Sequence, residues 1–295
     1  MRPTRLLFIV CACTLTPWPA EGSETPTAEP GAAGGSVVFA SRAAEPGQRV
    51  EQTVVIQLDL KSRSRQGADI LEEAQTRMTR TRQRVVTTTR VESGLAVGAQ
   101  VAYLQSRLER DGASPTVDPI DGHTYNCLRK GEQLKVSTEQ GAMPTKAEFD
   151  LVAENMETLG RENALATFLA GKRVSVGQRL TVPPDVARRL LGMKSQLGEV
   201  RRFELTLQKL ELVDARPCAV FQADLEAQRT DGSQMRLLIG GPMTIEVDTC
   251  RAIASTLSGP IGMSHSTPDP RGRLQVDSTG RLSLSVAACF KDPVR

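Results

Sequence analysis

Histidine and aromatic side chains are scarce in this chain, and the scarcity removes whole classes of function. Only His123 and His265 are present, and aromatics make up 3% of the sequence. Metal centres and nucleophile relays lean on imidazole, so neither has much to work with. His123 stands near Asp118, Asp121 and Cys127, but a lone imidazole beside a turn reads first as a polar strand-edge residue. His265, within Ser264-His265-Ser266-Thr267-Pro268, reads the same way. Few aromatics also means few anchors for binding hot spots or sugar-stacking platforms. The net charge of +3 makes no case for nucleic acid. No apolar run approaches the roughly 20 residues that a membrane-crossing helix requires.

Motifs for catalysis are missing as well. Gly240-Gly241-Pro242 lies in a strand-like run and predicts a bulge, while Gly31 to Gly35 is not followed by a helix opening on Lys-Ser/Thr, as a phosphate loop would be. No Gly-x-Ser-x-Gly elbow and no Ser-x-x-Lys set occurs. The carboxylate pairs Glu72-Glu73 and Asp118/Asp121 have nothing that would hold them apart across a cleft, and read as solvated charge. The expectation is a protein that is not an enzyme and takes no metal or cofactor.

What is present begins with an address. Arg2 and Arg5 precede the apolar run Leu6 to Cys13, which Pro17-Trp18-Pro19 breaks before Ala20-Glu21-Gly22-Ser23. This is the layout of a secretory signal over residues 1–22, and it predicts export to the periplasm, the outer membrane or the outside. Cleavage after Gly22 is one route. Val10-Cys11-Ala12-Cys13 loosely resembles a lipobox and gives the other, with Cys13 as the lipidation candidate. Residues 23–35 are rich in Pro, Gly, Ala and Thr and read as a flexible linker. Residues 36–290 then form a single β-rich domain with a helical insert at about 145–192.

The strand signals are alternation and β-branching. Val37-Val38-Phe39 is short, and Val50 to Lys61 puts Ile56, Leu58 and Leu60 on one face. Ala68 to Met78 fits a short helix, with Ile70, Leu71, Ala74 and Met78 on one side. Val85 to Thr89 is too β-branched for helix, and Val97 to Arg110 continues extended. Residues 113–121 read as a loop, and His123–Leu128 and Gln133–Thr138 as a hairpin about Lys130-Gly131. Thr145-x-x-Glu148 is a capping box opening a helix, with further helices at Asn163 to Ala170 and after Pro183-Pro184-Asp185. Five long strands follow, at 201–213, 218–228, 234–247, 252–263 and 273–287, with tight polar turns between most of them and a longer 264–272 loop. Short connections make an antiparallel meander, since parallel pairing needs long crossovers.

Four cysteines lie beyond the signal: Cys127, Cys218, Cys250 and Cys289. In an exported chain they read as two disulfides, with buried free thiols as the alternative. In a meander Cys218, Cys250 and Cys289 fall at one sheet end, which suggests Cys250–Cys289 and leaves Cys127 for Cys218. Two basic rows alternate along extended chain, Lys61/Arg63/Arg65 and Arg80/Arg82/Arg84. Each puts its charges on one face, fit for an anionic surface or polymer, or simply for a solvated edge.

Gly122-His123-Thr124-Tyr125 with Lys130-Gly131-Glu132, then Val176 to Pro183, Ser258-Gly259-Pro260 and Arg281-Leu282-Ser283-Leu284, together resemble secreted or lipid-anchored β-rich envelope proteins of Gram-negative bacteria. That resemblance implies the curved sheet and helical plug of periplasmic lipoprotein carriers, whose concave face is apolar and takes an acyl chain. The expected fold is mainly β (α+β), a curved antiparallel sheet or half-barrel with two or three short helices packed on it. The expected role is non-catalytic binding of an apolar ligand, a lipid or another envelope protein between sheet and helices. The alternative is a structural or adhesive surface protein that uses the arginine rows.

Overall fold

The computed structural model describes residues 35–191, 199–229, 233–269 and 272–291. The signal, Cys13 and nearly all of the linker lie outside these residues. Among the described residues, no helix is long and apolar enough to cross a membrane.

Strands dominate, and every pairing is antiparallel. The first half supplies β2 (Arg49–Gln66), β3 (Asp69–Glu92), β4 (Leu95–Arg110), β5 (Ala113–Val117), β6 (Thr124–Lys130) and β7 (Gln133–Thr138). After the helices come β9 (Arg179–Thr181), β10 (Glu199–Val213), β11 (Arg216–Arg229), β12 (Ser233–Glu246), β13 (Ala252–Asp269) and β14 (Gly272–Lys291). These make one 12-stranded open sheet in the order β7-β6-β4-β3-β2-β14-β13-β12-β11-β10-β9, with β5 beside β4. The predicted meander is the run β10 to β14, and it joins the first half where β14 meets β2. A separate small pair joins β1 (Ser36–Val38) to β8 (Arg173–Ser175).

Three departures from the sequence pattern have clear causes. The stretch 69–78 is strand, not helix, because it pairs with β2 from Gln66↔Asp69 onward around a turn carrying Gly67 at φ 63°. A local propensity loses to a long ladder. The 113–121 loop contains β5, and most of the 264–272 loop is strand extending β13 and β14. Gly240-Gly241-Pro242 forms no bulge: its ladder to β11 is unbroken, and the irregularity in β12 lies at Thr244/Ile245.

The helices follow their caps. Thr145 closes both halves of its capping box with Glu148 to start α1 (Lys146–Asn155). The Asn163 side chain accepts from the Leu165 N–H to start α2 (Ala164–Leu169). Pro184 opens α3 (Pro184–Leu191), with Asp185 at its positive end.

The helices make their main contacts toward the two ends of the strand order. Helix α3 lies on β10 and against α2, while α1 touches β7. Phe39, next to β1, packs on Phe221 of β11 with ring centroids 6.1 Å apart. Yet Val54, Ile56, Leu58 and Leu60 of β2 share the same apolar core as α2 and α3. Strand β2 is five strand spacings from β10, about 24 Å along a flat sheet, whereas α2 and α3 are only about 9 and 12 Å long. Since Val54, Ile56, Leu58 and Leu60 are nonetheless each only 5% exposed, the sheet curls and covers its own inner face.

Glycines make the curl possible. A Cβ at Gly241, Gly259 or Gly280 would stand 2.0, 2.0 or 1.8 Å from the carbonyl oxygen of Thr256, Leu238 or Asp59 on the neighbouring strand. Gly259 sits against Ile239, and Gly280 stands opposite Ile261. The three thus step diagonally across β12, β13 and β14. Lines of side-chain-free positions are how sheets bend sharply.

Candidate functional site

Side-chain alternation sorts the sheet into an inner and an outer face. On the inner face lie two apolar cores. The larger takes Val54 to Leu60 of β2, Met78 of β3 and Leu108 of β4, then inward residues of β10 to β14, α2 and α3. The smaller takes Ala99, Val101 and Tyr103 of β4, Tyr125 and Cys127 of β6, Val152 of α1 and Met156 at its C-cap.

Between the cores runs a polar seam. Along β3 the inward positions read Met78, Arg80, Arg82, Arg84, Val86. Met78 belongs to the larger core, and Val86 packs against the smaller one. Beside this row stand Gln52 on β2, opposite Arg84, and Ser106 on β4, opposite Arg82. The second basic row therefore faces inward: Arg82 is 4% and Arg84 5% exposed. Neither can lie on a surface polymer as the structure stands.

The seam is held by named contacts. Arg80 donates to Asp118 Oδ1 at 3.1 Å, and Ser106 Oγ donates to Asp118 Oδ2 at 2.7 Å. The Ser106 N–H donates to Asp121. Arg82 donates to Ser106 Oγ at 3.3 Å and to Asn155 Oδ1, and lies 3.9 Å from Asp118. Arg84 donates to Gln52 Oε1 and, at 2.8 Å, to the Asn155 carbonyl. Across the smaller core, Arg129 donates to the carbonyls of Met156, Glu157 and Leu159.

These contacts explain why arginine is tolerated indoors. The last carbonyls of a helix have no partner within it and form its negative end. Helix α1 has no basic residue in its last turn. Arg84 and Arg129, arriving from two strands, supply the missing donors at residues 155–159. Burial is still expensive for Arg82: desolvation pulls its pKa down to about 10, with Tyr103 and Asp118 opposing the shift and Arg80 and Arg84 adding to it. Nearby, burial pushes the Tyr103 hydroxyl up, and the two arginines and the Asn155 side chain beside it oppose that rise.

The first basic row is on the other face. Lys61 and Arg63 are exposed, Arg63 pairs with Glu73 at 2.6 Å, and Arg65 sits at a register shift near Asp277. Strand β2 buries Leu60 inward, which turns Lys61 and Arg63 outward.

The disulfide pairings are overturned: Cys127, Cys218, Cys250 and Cys289 are all free. Cys250 points inward and its thiol donates to the Ala40 carbonyl at 3.0 Å. Cys289 has the opposite phase to the inward Leu284 and Val286, so the two sulfurs lie on different faces. Cys127 and Cys218 stand seven strand spacings apart in the sheet order. Burial pushes the thiols up, to about 12 for Cys127 and about 11 for Cys218 and Cys250, so none of these three is a thiolate nucleophile at neutral pH.

Among the described residues, no group of three His, Cys, Asp or Glu side chains could hold a metal ion. His123 lies beside Tyr125, with ring centroids 6.4 Å apart, and close enough to Glu148 to lower that carboxyl. Glu148 is already committed to the Tyr125 hydroxyl and the Thr145 cap.

Reading the sequence alone missed Gln52, Ser106, Asp118 as an arginine partner, Asn155 and Arg129. A signal for the inward row was available: Met78, Arg80, Arg82, Arg84 and Val86 share one phase, and apolar residues end it on both sides.

No protein-family model matches this chain, and no curated protein matches it in sequence. Among solved structures it is similar to one described as showing lipid–protein interactions in lipovitellin, at 8% identity and a TM-score of 0.36, over 85% of this chain. The chain spans 26% of that lipovitellin chain. It is also similar to a LolA-superfamily protein from Nitrosomonas europaea, at 12% identity and a TM-score of 0.13, over 77% of this chain and 84% of that one.

Proposed function

We propose that this chain is a non-catalytic cell-envelope protein that binds an apolar ligand, a lipid or an apolar segment of a partner, between its curled sheet and its helices. One observation carries the reading. The inner face is apolar over consecutive strands from β2 to β10, while the helices that cover it are short and meet it at one end. A sheet that closes over so broad an apolar face provides the kind of lining that an apolar ligand needs. Ligand sites are built from concave apolar surface with a few polar groups at one side, and the seam supplies such groups. The surface-polymer alternative retains only Lys61, Arg63 and Arg65, because the Arg80 row is turned inside.

The test uses a neutral probe. The full chain is titrated with N-phenyl-1-naphthylamine, and protein from its native envelope is extracted with chloroform–methanol for mass spectrometry. Saturable fluorescence enhancement, or a stoichiometric lipid in the extract, is expected. Absence of both a saturable signal and a co-purifying lipid would reduce the sheet to a scaffold.

A further inference from the structure

We infer that β10 carries a docking edge for a second copy of this chain, whose own β10 pairs with it antiparallel about Leu210. The edge lies outside the apolar face proposed to bind a ligand, and its pairing does not depend on that reading.

The outer edge of β10 is only partly covered. Strand β9 pairs with Glu204, Leu205 and Thr206, and the Leu207 N–H and carbonyl bond to Gln178 and Gly177. Among the described residues, nothing pairs with Gln208 to Val213 on that side. Two features set the backbone phase there. A register shift at Gln208 separates Leu207 from Lys209 along β11. At the far end Val213 and Arg216 flank the two-residue turn Asp214-Ala215, whose φ values of 50° and 62° are those of a type I′ hairpin. The residues flanking such a turn bond to each other, and bonding alternates along a strand. Val213, Glu211 and Lys209 therefore direct their amides at β11. Leu210 and Leu212 turn their N–H and carbonyl groups outward.

Exposed edges are usually guarded by charge, proline or irregularity. This one presents leucine. Leu212 is 73% and Leu210 38% exposed. Leu210 pairs with Ala219, an inward residue of the larger core, so both leucines share the inner face. The outer face carries Lys209 and Glu211, 2.6 Å apart. At the other end of the strand order, β7 has α1 packed against it.

Charge selects both the occupant and the register. Outward-directed amides must meet outward-directed amides, so registers change in steps of two residues. With Leu210 opposite the second copy's Leu210, Lys209 stands opposite the second copy's Glu211, and Glu211 opposite its Lys209. Two opposite-charge pairs then form on one face. On the other face Leu210 meets its counterpart, with Leu212 on the diagonal. The next registers on either side set Glu211 against Glu211 or Lys209 against Lys209, and like charges directly opposite are destabilising. The favoured pairing is two-fold symmetric, so it closes at two copies.

The experiment is sedimentation of the full chain over a range of concentrations. A pairing of five residues lies at the small end of interfaces, below about 1,200 Å², so the dimer should be reversible and dependent on concentration. Lys209→Glu and Glu211→Lys should each weaken self-association at least about tenfold. Mixed in equal amounts, the two variants should dimerise again, because one edge is then wholly acidic and the other wholly basic. The double exchange should dimerise by itself. Leu210→Pro should abolish the dimer, since it removes an outward N–H and leaves the ladder to β11 intact. Lys61→Glu makes the same charge change on exposed β2 and should have no effect. A monomer at every concentration, or a dimer indifferent to the single exchanges, would overturn the inference. Single variants that do not recover on mixing would overturn it too, by removing the register. The mixing result does not depend on the proline variant folding, and binding of the neutral probe is read separately from all of these.

Discussion

The two cores of this sheet are held in different ways. The larger is apolar throughout, from Leu205 and Leu207 on β10 to Leu60 on β2, and its strength is area removed from water. Each fully buried Leu, Ile or Phe is worth about 1.5–3 kcal/mol there. The smaller core has few such residues, and its helix α1 is also fastened by directed contacts: Arg82 to the Asn155 side chain, Arg84 to its carbonyl, Arg129 to the carbonyls that follow. Non-directional burial singles out no one contact geometry. Directed hydrogen bonds fix one helix in one place. The difference separates a core held by buried area from a clamp held by directed bonds.

The sharpest way to break the larger core is to straighten it. Gly259→Leu puts a Cβ 2.0 Å from the Leu238 carbonyl, backbone that cannot step aside without parting β12 from β13. A loss above about 4 kcal/mol is expected, as for other severe backbone and overpacking changes. Urea unfolding by circular dichroism checks it. A near-native midpoint would mean that the glycine diagonal does not create the curl.

The clamp predicts a smaller and more local loss. Asn155→Ala removes the acceptor of Arg82 and leaves a buried cation short of one bond, at a cost of about 1–3 kcal/mol. Both tyrosines of the chain, Tyr103 and Tyr125, lie in the smaller core, so tyrosine absorbance reports on it directly. The tyrosine midpoint should fall in urea, and amide exchange in α1 should accelerate more than in β13. Equal acceleration in both would show that the two cores are one cooperative unit.

Much of this fold was legible before any coordinates. The meander from Arg201 onward, the hairpin around Gly131 and the capping box at Thr145 each depend on contacts within a few residues, which periodicity and turn chemistry report. The seam was not legible in the same way. Its partners come from positions 52, 82, 106, 118 and 155, brought together by the sheet order and by a register shift between Gln83 and Arg84. An arginine row has the same spacing on either face, so its direction had to be taken from Met78 and Val86. The cysteine pairings failed for a related reason. Strand ends can be placed from turns, but which face a sulfur occupies depends on phase, and Cys250 and Cys289 differ in it.

Acid offers the gentlest probe of the clamp. Glu148 accepts from the Thr145 hydroxyl at 2.6 Å, the Tyr125 hydroxyl at 2.7 Å and the Thr145 N–H at 2.7 Å. These bonds, led by the Thr145 hydroxyl, hold its carboxyl below the ordinary value of 4.5, with burial opposing them weakly. A depressed folded-state pKa means that this contribution is complete above the unfolded value and disappears as pH falls through the folded one. The tyrosine-detected midpoint should therefore decline as pH drops below about 4.5, and Glu148→Gln should flatten that part of the decline while lowering stability at pH 7 by less than about 1 kcal/mol, because the group is largely in water. Helix α1 starts at this carboxylate and ends at the arginines. An acid slope seen in the tyrosine signal but not in amide exchange of β13 would place the charge dependence in the clamp and leave the apolar face independent of it. A slope shared by both signals would tie the two cores together.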